Sequence, residues 1–390
     1  MRRAILLVSL LMLTTVGASL PDSTVKLKVE RKLADFDLGI QGGEVSPNGS
    51  HVLLYGVEGY AHLISAENAG DENMDVILEK ETTQDLNDVT WHPGGLSAVF
   101  VGDSGTVLRF NSTNYALGEA EGSSVMAGKD INAVQFTPGS SVAYLGTEDG
   151  EIWRYYANTF SLLDSQASSR ISDIDCLQND NICVVTTLND GIAVIDQGDT
   201  VSWIADTKSH TWMGVGCEDP RINSCSVFGS GKKVSIVNID IIDTSQSELG
   251  EIIVLGQLTG DFTGDNPGSN FASIISLGPL GMVRWTQYSN EAFLMFENED
   301  AAGLDVFLSA DRYAVSWENS ENSGFLVTGQ GGVVSFEPLS EDVEDEFPEF
   351  LAYLLVVCVF GVFFGMIYWN SPWLQRKYAN LTNRNKRNEQ

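Results

Sequence analysis

Residues 86–105 read LNDVTWHPGGLSAVFVGDSG and residues 131–150 read INAVQFTPGSSVAYLGTEDG, two stretches that align without a gap at a spacing of 45. A third copy begins at Ile171 with ISDIDCLQNDNICVVTTLNDG, and a fourth at Trp212 with WMGVGCEDPRINSCSVFGSG. Upstream, residues 40–65 read IQGGEVSPNGSHVLLYGVEGYAHLIS; downstream, residues 313–337 read YAVSWENSENSGFLVTGQGGVVSFE. Every copy alternates short runs rich in Val, Ile, Phe, Tyr and Trp with Pro-Gly, Asp-Gly or Ser-Gly. These pairs tolerate positive φ and close tight hairpins. Self-similarity at this period marks a repeat architecture in which each unit buries its apolar faces against its neighbours.

No copy contains a convincing helix, so the repeat region is all-β. Four short antiparallel strands per unit of about 40 residues, repeated about seven times, predict a β-propeller of four-stranded blades around a channel. In layout, residues 25–339 resemble the WD-repeat and related propeller superfamily, although no Gly-His or Trp-Asp dipeptide stands at the usual places. The stretch 24–36 is an isolated strand ahead of the first full unit, and the last unit is one strand short. The two are expected to pair and close the ring. Residues 240–303 are the least regular and would hold one enlarged blade or one and a half, so the count is seven, with six or eight as neighbouring alternatives.

The ends set the expected topology. Arg2 and Arg3, the apolar run 4–13 and the small residues Val16-Gly17-Ala18 have the three-part layout of a secretory signal over residues 1–18. The propeller would occupy 19–339, followed by an acidic linker at 340–349. Residues 350–369 carry no charge over a length that spans the hydrocarbon core as a helix, so a single C-terminal transmembrane helix is predicted there. Acids precede it, whereas Arg376, Lys377, Arg384, Lys386 and Arg387 follow in the tail 370–390. The positive-inside rule therefore puts that basic tail in the cytoplasm and the ectodomain outside. Gly361 and Gly365 form a small-xxx-small face through which two such helices would dimerise.

Setting aside the two signal arginines, the five tail bases and Glu389 leaves 15 bases against 52 acids, a net charge of −37 on residues 19–349. Such a surface repels phosphate backbones and excludes nucleic acid as a natural partner, while favouring basic proteins, basic peptides or cations. Solubility in saline surroundings is the plainer reason for the same acidity.

Cys176 and Cys183 in the third clear copy stand where Cys217 and Cys225 stand in the fourth, with one inserted residue. Each pair lies across the first hairpin of its blade, which an oxidising compartment would turn into the bridges Cys176–Cys183 and Cys217–Cys225. A four-thiolate metal site is the alternative. Residues 260–269, GDFTGDNPGS, resemble the calcium loop of integrin-type propeller blades, with Asp261, Thr263 and Asp265 as the oxygen donors; Ser269 stands where that loop ends in an acid. Asn48-Gly49-Ser50 and Asn111-Ser112-Thr113 are glycosylation acceptors in predicted turns, at Asn48 and Asn111. Gly102-Asp103-Ser104-Gly105 shares letters with a protease nucleophile loop but aligns with the turn Thr147-Glu148-Asp149-Gly150. The histidines His51, His62, His92 and His210 lack metal spacing.

No catalytic constellation rises above the general acidity. The expected role is therefore a single-pass, cell-membrane-anchored extracytoplasmic scaffold that binds a protein partner on a propeller face, such as an envelope assembly factor. An enzymatic or ligand-binding propeller with a cofactor or metal in its channel is the main alternative, and a structural surface protein the third. An enzyme would converge His, Arg and carboxylates at the channel mouth, whereas a scaffold would show an aromatic patch on one face.

Overall fold

The computed structural model describes residues 23–289, 291–304, 308–339 and 370–388. After the first strand, β1 (Val25–Lys32), the chain winds into successive four-stranded antiparallel blades. Blade I is β2 (Ile40–Val45), β3 (His51–Gly56), β4 (Ala61–Ser65) and β5 (Val76–Ile77). Blade II is β6 (Leu86–Trp91), β7 (Ser97–Gly102), β8 (Val107–Asn111) and β9 (Ala116–Glu119). Blade III is β10 (Ile131–Phe136), β11 (Ala143–Thr147), β12 (Ile152–Tyr156) and β13 (Thr159–Leu162); blade IV is β14 (Ile171–Cys176), β15 (Cys183–Thr187), β16 (Ile192–Ile195) and β17 (Val201–Trp203).

Blade V is β18 (Trp212–Gly216), β19 (Ser224–Gly229) and β20 (Lys233–Asn238), whose outer edge is shared by two short strands, β21 (Glu248–Leu249) and β22 (Ile253–Val254). Blade VI is β23 (Phe262–Pro267), β24 (Ser273–Leu277), β25 (Gly281–Thr286) and β26 (Glu291–Phe296). Blade VII is β27 (Tyr313–Ser320), β28 (Ser323–Thr328) and β29 (Gly332–Pro338), with β1 as its outer strand, paired antiparallel from Val25↔Pro338 to Lys32↔Gly332. The N-terminal strand thus completes the last blade, as the missing strand in the last repeat implied. The irregular stretch 240–303 resolves into the split outer edge of blade V and one ordinary blade VI. One short helix, α1 (Asn298–Leu304), which the strand-rich pattern did not reveal, joins blade VI to blade VII.

Seven buried apolar clusters hold the ring, one between each pair of adjacent blades. Blade II gives Val99 and Val101, and blade III gives Val134, Phe136 and Trp153, to one of them; Val25 and Phe336 of blade VII meet Ile274 and Met282 of blade VI in another. Burial on both faces explains why the second strands read as continuous apolar runs such as Ala98-Val99-Phe100-Val101. In several blades the glycine after the second strand recurs for a steric reason. Gly105 and Gly150 sit at φ +84° and +86°, and a Cβ on Gly105 would lie 2.2 Å from the Met126 carbonyl oxygen, where the chain arrives for the next blade.

A second unit, residues 339–390, contains the helix α2 (Pro372–Asn388). No helix among the described residues is long and apolar enough to cross a membrane. The predicted signal at 1–18 and the transmembrane segment at 350–369 lie outside the described residues.

Candidate functional site: an acidic channel

The innermost strand of every blade carries a β-bulge at the same column. The register slips between Ile40 and Gly42, Leu86 and Asp88, Ile131 and Ala133, Ile171 and Asp173, Trp212 and Gly214, Phe262 and Gly264, and Tyr313 and Val315. A bulge re-aims one side chain out of the alternating pleat. Here the seven extra residues, Gln41, Asn87, Asn132, Ser172, Met213, Thr263 and Ala314, form a ring around one end of the channel. Two of them also tie blades: Asn87 Nδ2 donates to the Ile131 carbonyl at 3.0 Å and Ser172 Oγ to the Trp212 carbonyl at 2.9 Å. The cavity at this end holds about 330 Å³, and Arg170 stands at its rim.

Beyond the bulges the channel turns acidic and widens to about 430 Å³ at the face formed by the hairpins between first and second strands. Glu44, Asp88, Asp173, Asp175, Glu218 and Asp265 line it, ringed by protein yet each only half-buried because it opens onto the channel. Four of them accept backbone N–H groups from the inner edge of the next blade. Glu44 Oε2 accepts from Trp91 at 2.6 Å, Asp88 Oδ2 from Val134 at 2.8 Å, Asp173 Oδ2 from Val215 at 2.9 Å and Asp175 Oδ2 from Cys217 at 2.6 Å. An inner strand has one edge without a strand partner, so its N–H groups need acceptors from outside the ladder. Gln135 extends the network, accepting from Thr90 Oγ1 at 2.7 Å and donating to Asp175 Oδ1 at 2.8 Å.

Glu218 and Asp265 differ: no described group donates a hydrogen bond to either carboxylate. Asp265 packs against Gly214 and Gly216 of blade V; a Cβ on Gly214 would meet its Oδ1 at 2.3 Å, so these glycines leave the room it occupies. Desolvation raises the pKa of all six groups. It takes Asp88 to about 8 and Asp173 to about 7, against the opposing pull of the Val134 and Val215 amides. Glu44, Glu218 and Asp265 are raised well above the carboxylate range by burial first, then by the neighbouring charges of Asp88, of Asp175, and of Asp173, Glu218 and Asp175 respectively; Asp175 is raised by burial. Tyr55 is pushed up by burial and then by Asp88, Asp173 and Glu44.

Arg170 is the one cationic side chain among the described residues lining the channel, and no histidine, cysteine or lysine lines it. The lining is acceptor-rich, suited to a cation or a cationic side chain, and offers no nucleophile paired with a base. Among the described residues no three His, Cys, Asp or Glu side chains gather to hold a metal. The run 260–269 forms strand β23 and the hairpin after it. Asp265 faces the channel, Thr263 Oγ1 shares a 2.8 Å hydrogen bond with Ser276 Oγ, and Asp261 precedes the strand exposed.

Both disulfides are present. Cys176–Cys183 and Cys217–Cys225 close the first hairpins of blades IV and V, with Cα separations of 3.9 and 4.3 Å. Asn48 and Asn111 are exposed at turns on the hairpin face of blades I and II. The histidines serve locally: His92 Nε2 meets Ser141 Oγ at 2.9 Å, and buried His62 takes Tyr60 Oη at Nδ1 at 2.8 Å. Apart from Asp265, named as a candidate cation donor, the channel acids went unread in the sequence, although the signal stood in the copies. Asp88 and Asp173 occupy one column, two residues into the first strand, where a single-strand reading sees only general acidity.

Ring, bulge column and channel define a seven-bladed β-propeller with an acidic bore. In keeping with this, a solved streptogramin B lyase structure is similar, with a TM-score of 0.63 at 13% identity over 81% of this chain and 98% of that one, a likeness of fold alone. No family model and no curated protein matches the chain.

Proposed function

We propose that this chain is a membrane-anchored, extracytoplasmic interaction propeller that holds a basic protein segment against its hairpin face. The observation that carries the reading is the division of labour among the channel acids. Glu44, Asp88, Asp173 and Asp175 are engaged in joining blades, whereas Glu218 toward the hairpin face and Asp265 deeper in the channel accept from no described group and have no cation beside them. Burial keeps these two carboxyls protonated until a partner enters, so an incoming ammonium or guanidinium gains by drawing out their charged form, and the net negative charge of the surrounding surface steers a basic partner to the channel. The lining, which has no paired nucleophile and base, favours binding over catalysis. The single predicted transmembrane helix would fix the module to the membrane with its tail inside.

Crosslinking in intact cells, with capture through a tag on the cytoplasmic tail and mass spectrometry, tests this. A stoichiometric basic protein in the wild type that is lost from the Glu218→Gln/Asp265→Asn variant is the expected result. Recovery of the chain alone, carrying a small molecule or metal in the channel, would overturn it in favour of a ligand-binding or enzymatic propeller.

A further inference from the structure

Around the hairpin face, neighbouring blades are linked by polar contacts. His92 meets Ser141 at 2.9 Å, the Gly139 amide donates to Asn181 at 3.2 Å, Asn270 donates to Glu321 at 3.0 Å, and Asn319 donates to the Ala66 carbonyl at 3.2 Å. Between blades V and VI the link is different. The Arg221 guanidinium lies 4.8 Å from the ring centre of Phe271 and 5.8 Å from that of Tyr288, and both rings stay open to solvent, 42% and 79% exposed.

This arrangement is held rigidly from below. Arg221 is clamped by buried Asp219 through Nε–Oδ1 and Nη2–Oδ2 contacts of 2.7 and 2.6 Å. The Phe271 hairpin is pinned at Ser269, whose amide donates to Glu318 at 2.6 Å and whose carbonyl accepts from Arg284 at 2.7 Å. Asn270 and Phe271 both sit in the left-handed region, at φ +55° and +59°. A bulky residue there is an outlier that the surroundings must impose, and such strain concentrates at clamps for ligands. Exposed Phe, Tyr and Arg groups are the composition of an interface anchor, and with Arg221 and the Phe271 hairpin fixed in place little of their freedom is lost on binding.

We propose that Phe271, Tyr288 and Arg221 form the anchoring spot of the hairpin face, receiving an apolar or aromatic side chain from the basic segment whose cations lie along the channel mouth. The proposal rests on the reading of a basic partner and names where that partner is gripped. Charge complementarity selects the occupant: Arg221 is already neutralised by Asp219, Glu218 stands next to that clamp in the chain on the channel lining, and Glu321 accepts from Asn270 beside Phe271. The predicted glycosylation acceptors Asn48 and Asn111 stand on blades I and II and not on blades V and VI.

The test uses the full chain in detergent and two synthetic 12-residue peptides, one alternating Lys with Phe and one alternating Lys with Gly, followed by fluorescence anisotropy and melting. The Lys-Phe peptide should bind at least tenfold more tightly than the Lys-Gly peptide. Tyr288→Ala and Phe271→Gly should each remove most of that advantage, and Phe271→Gly should raise the melting temperature because glycine relaxes the left-handed backbone. Equal binding of the two peptides, weakened by Glu218→Gln/Asp265→Asn but untouched by Tyr288→Ala, would overturn the anchor and leave the basic-partner reading standing. A fall in melting temperature for Phe271→Gly with peptide binding unchanged would make the ring a structural tie and overturn the anchor as well. Failure of both peptides to bind would overturn the two readings together.

Discussion

Blades I to V and blades V to I solve the same joint in different ways. At three of the four joints of the first arc, an inner-strand acid of one blade accepts a backbone N–H of the next: Glu44 from Trp91, Asp88 from Val134 and Asp173 from Val215, while between blades III and IV Gln135 Nε2 donates to Asp175 Oδ1. Across the second arc an amide takes that role once, Asn266 Oδ1 of blade VI accepting from the Ser316 N–H of blade VII at 3.0 Å, and the other contacts are singular. Trp285 Nε1 and Gln287 Nε2 reach back to Ser226 and Ser224, Arg284 of blade VI pairs with Glu318 of blade VII, and Trp317 Nε1 closes onto the Ala66 carbonyl of blade I. A channel-side acid can be copied with its repeat because its partner is a backbone amide that every repeat has. The second arc relies on particular side-chain pairs, and there the sequence repeats blur.

The largest break should come from the second arc. Arg284 and Glu318 are 6% and 0% exposed at the side chain, so Arg284→Ala strands a buried carboxylate and should cost about 3–5 kcal/mol in denaturant unfolding. Arg284→Met with Glu318→Leu should recover most of that loss, since the apolar pair has no charge to desolvate. If the single and double variants were equally unstable, the joint would depend on shape and hydrogen bonds to Ser269 rather than on charge. The disulfides come next. Replacing Cys217 and Cys225 by Ser opens a short loop, with an expected loss on the order of 2–3 kcal/mol, read as a lowered denaturation midpoint without reductant.

A finer cut separates engaged from free acids within the channel. Asp88→Ala leaves the Val134 amide without its acceptor and should cost about 1–3 kcal/mol. Asp265→Ala removes a carboxylate that no described group hydrogen-bonds and that Asp173, Glu218 and Asp175 crowd, so stability should change by less than about 0.5 kcal/mol or rise. Equal losses at the two positions would erase the distinction on which the functional reading stands.

What the sequence disclosed follows the same division. Where copies align, at 86–105, 131–150 and 171–191, strand order, turn glycines and both hairpin disulfides were legible, because each was read against its equivalent in another copy. The ring closure by β1 was legible from a strand missing at one end and spare at the other. The region 240–303 was not, since the split edge of blade V and the helix α1 have no counterpart to align with. The run at Asp261, Thr263 and Asp265 has the residue types of a cation loop; β23 begins within it at Phe262, which fills the core between blades V and VI. The channel itself was hidden for a geometric reason. Its acids come from five blades and converge only when the ring closes, and the bulge that aims each inner strand is a backbone event with no residue signature of its own. Glycines 214 and 216, which make room for Asp265, looked like ordinary strand glycines until the neighbouring blade stood against them.

The effect that probes the whole channel at once, spread over several pH units, is the pH dependence of stability. Asp88 and Asp173 have folded pKa values raised to about 8 and about 7, far above those of the unfolded chain, because burial disfavours their charged forms. Between the two states' values the folded protein binds more protons than the unfolded one, so stability must fall as pH rises. The contribution is fully present below about pH 4 and is lost as pH climbs through about 7 and 8. The melting temperature should therefore decline from pH 5 to pH 8, the amides of Val134 and Val215 and the channel water limiting the slope. Asp88→Asn, which keeps an oxygen for Val134 but cannot ionise, should flatten the upper part of that decline. A profile that rises over this range, or one that Asp88→Asn leaves unchanged, would mean that the inner-strand acids are ionised throughout. The first arc would then be held by charged hydrogen bonds, and the channel would carry its full negative field at every pH a partner meets.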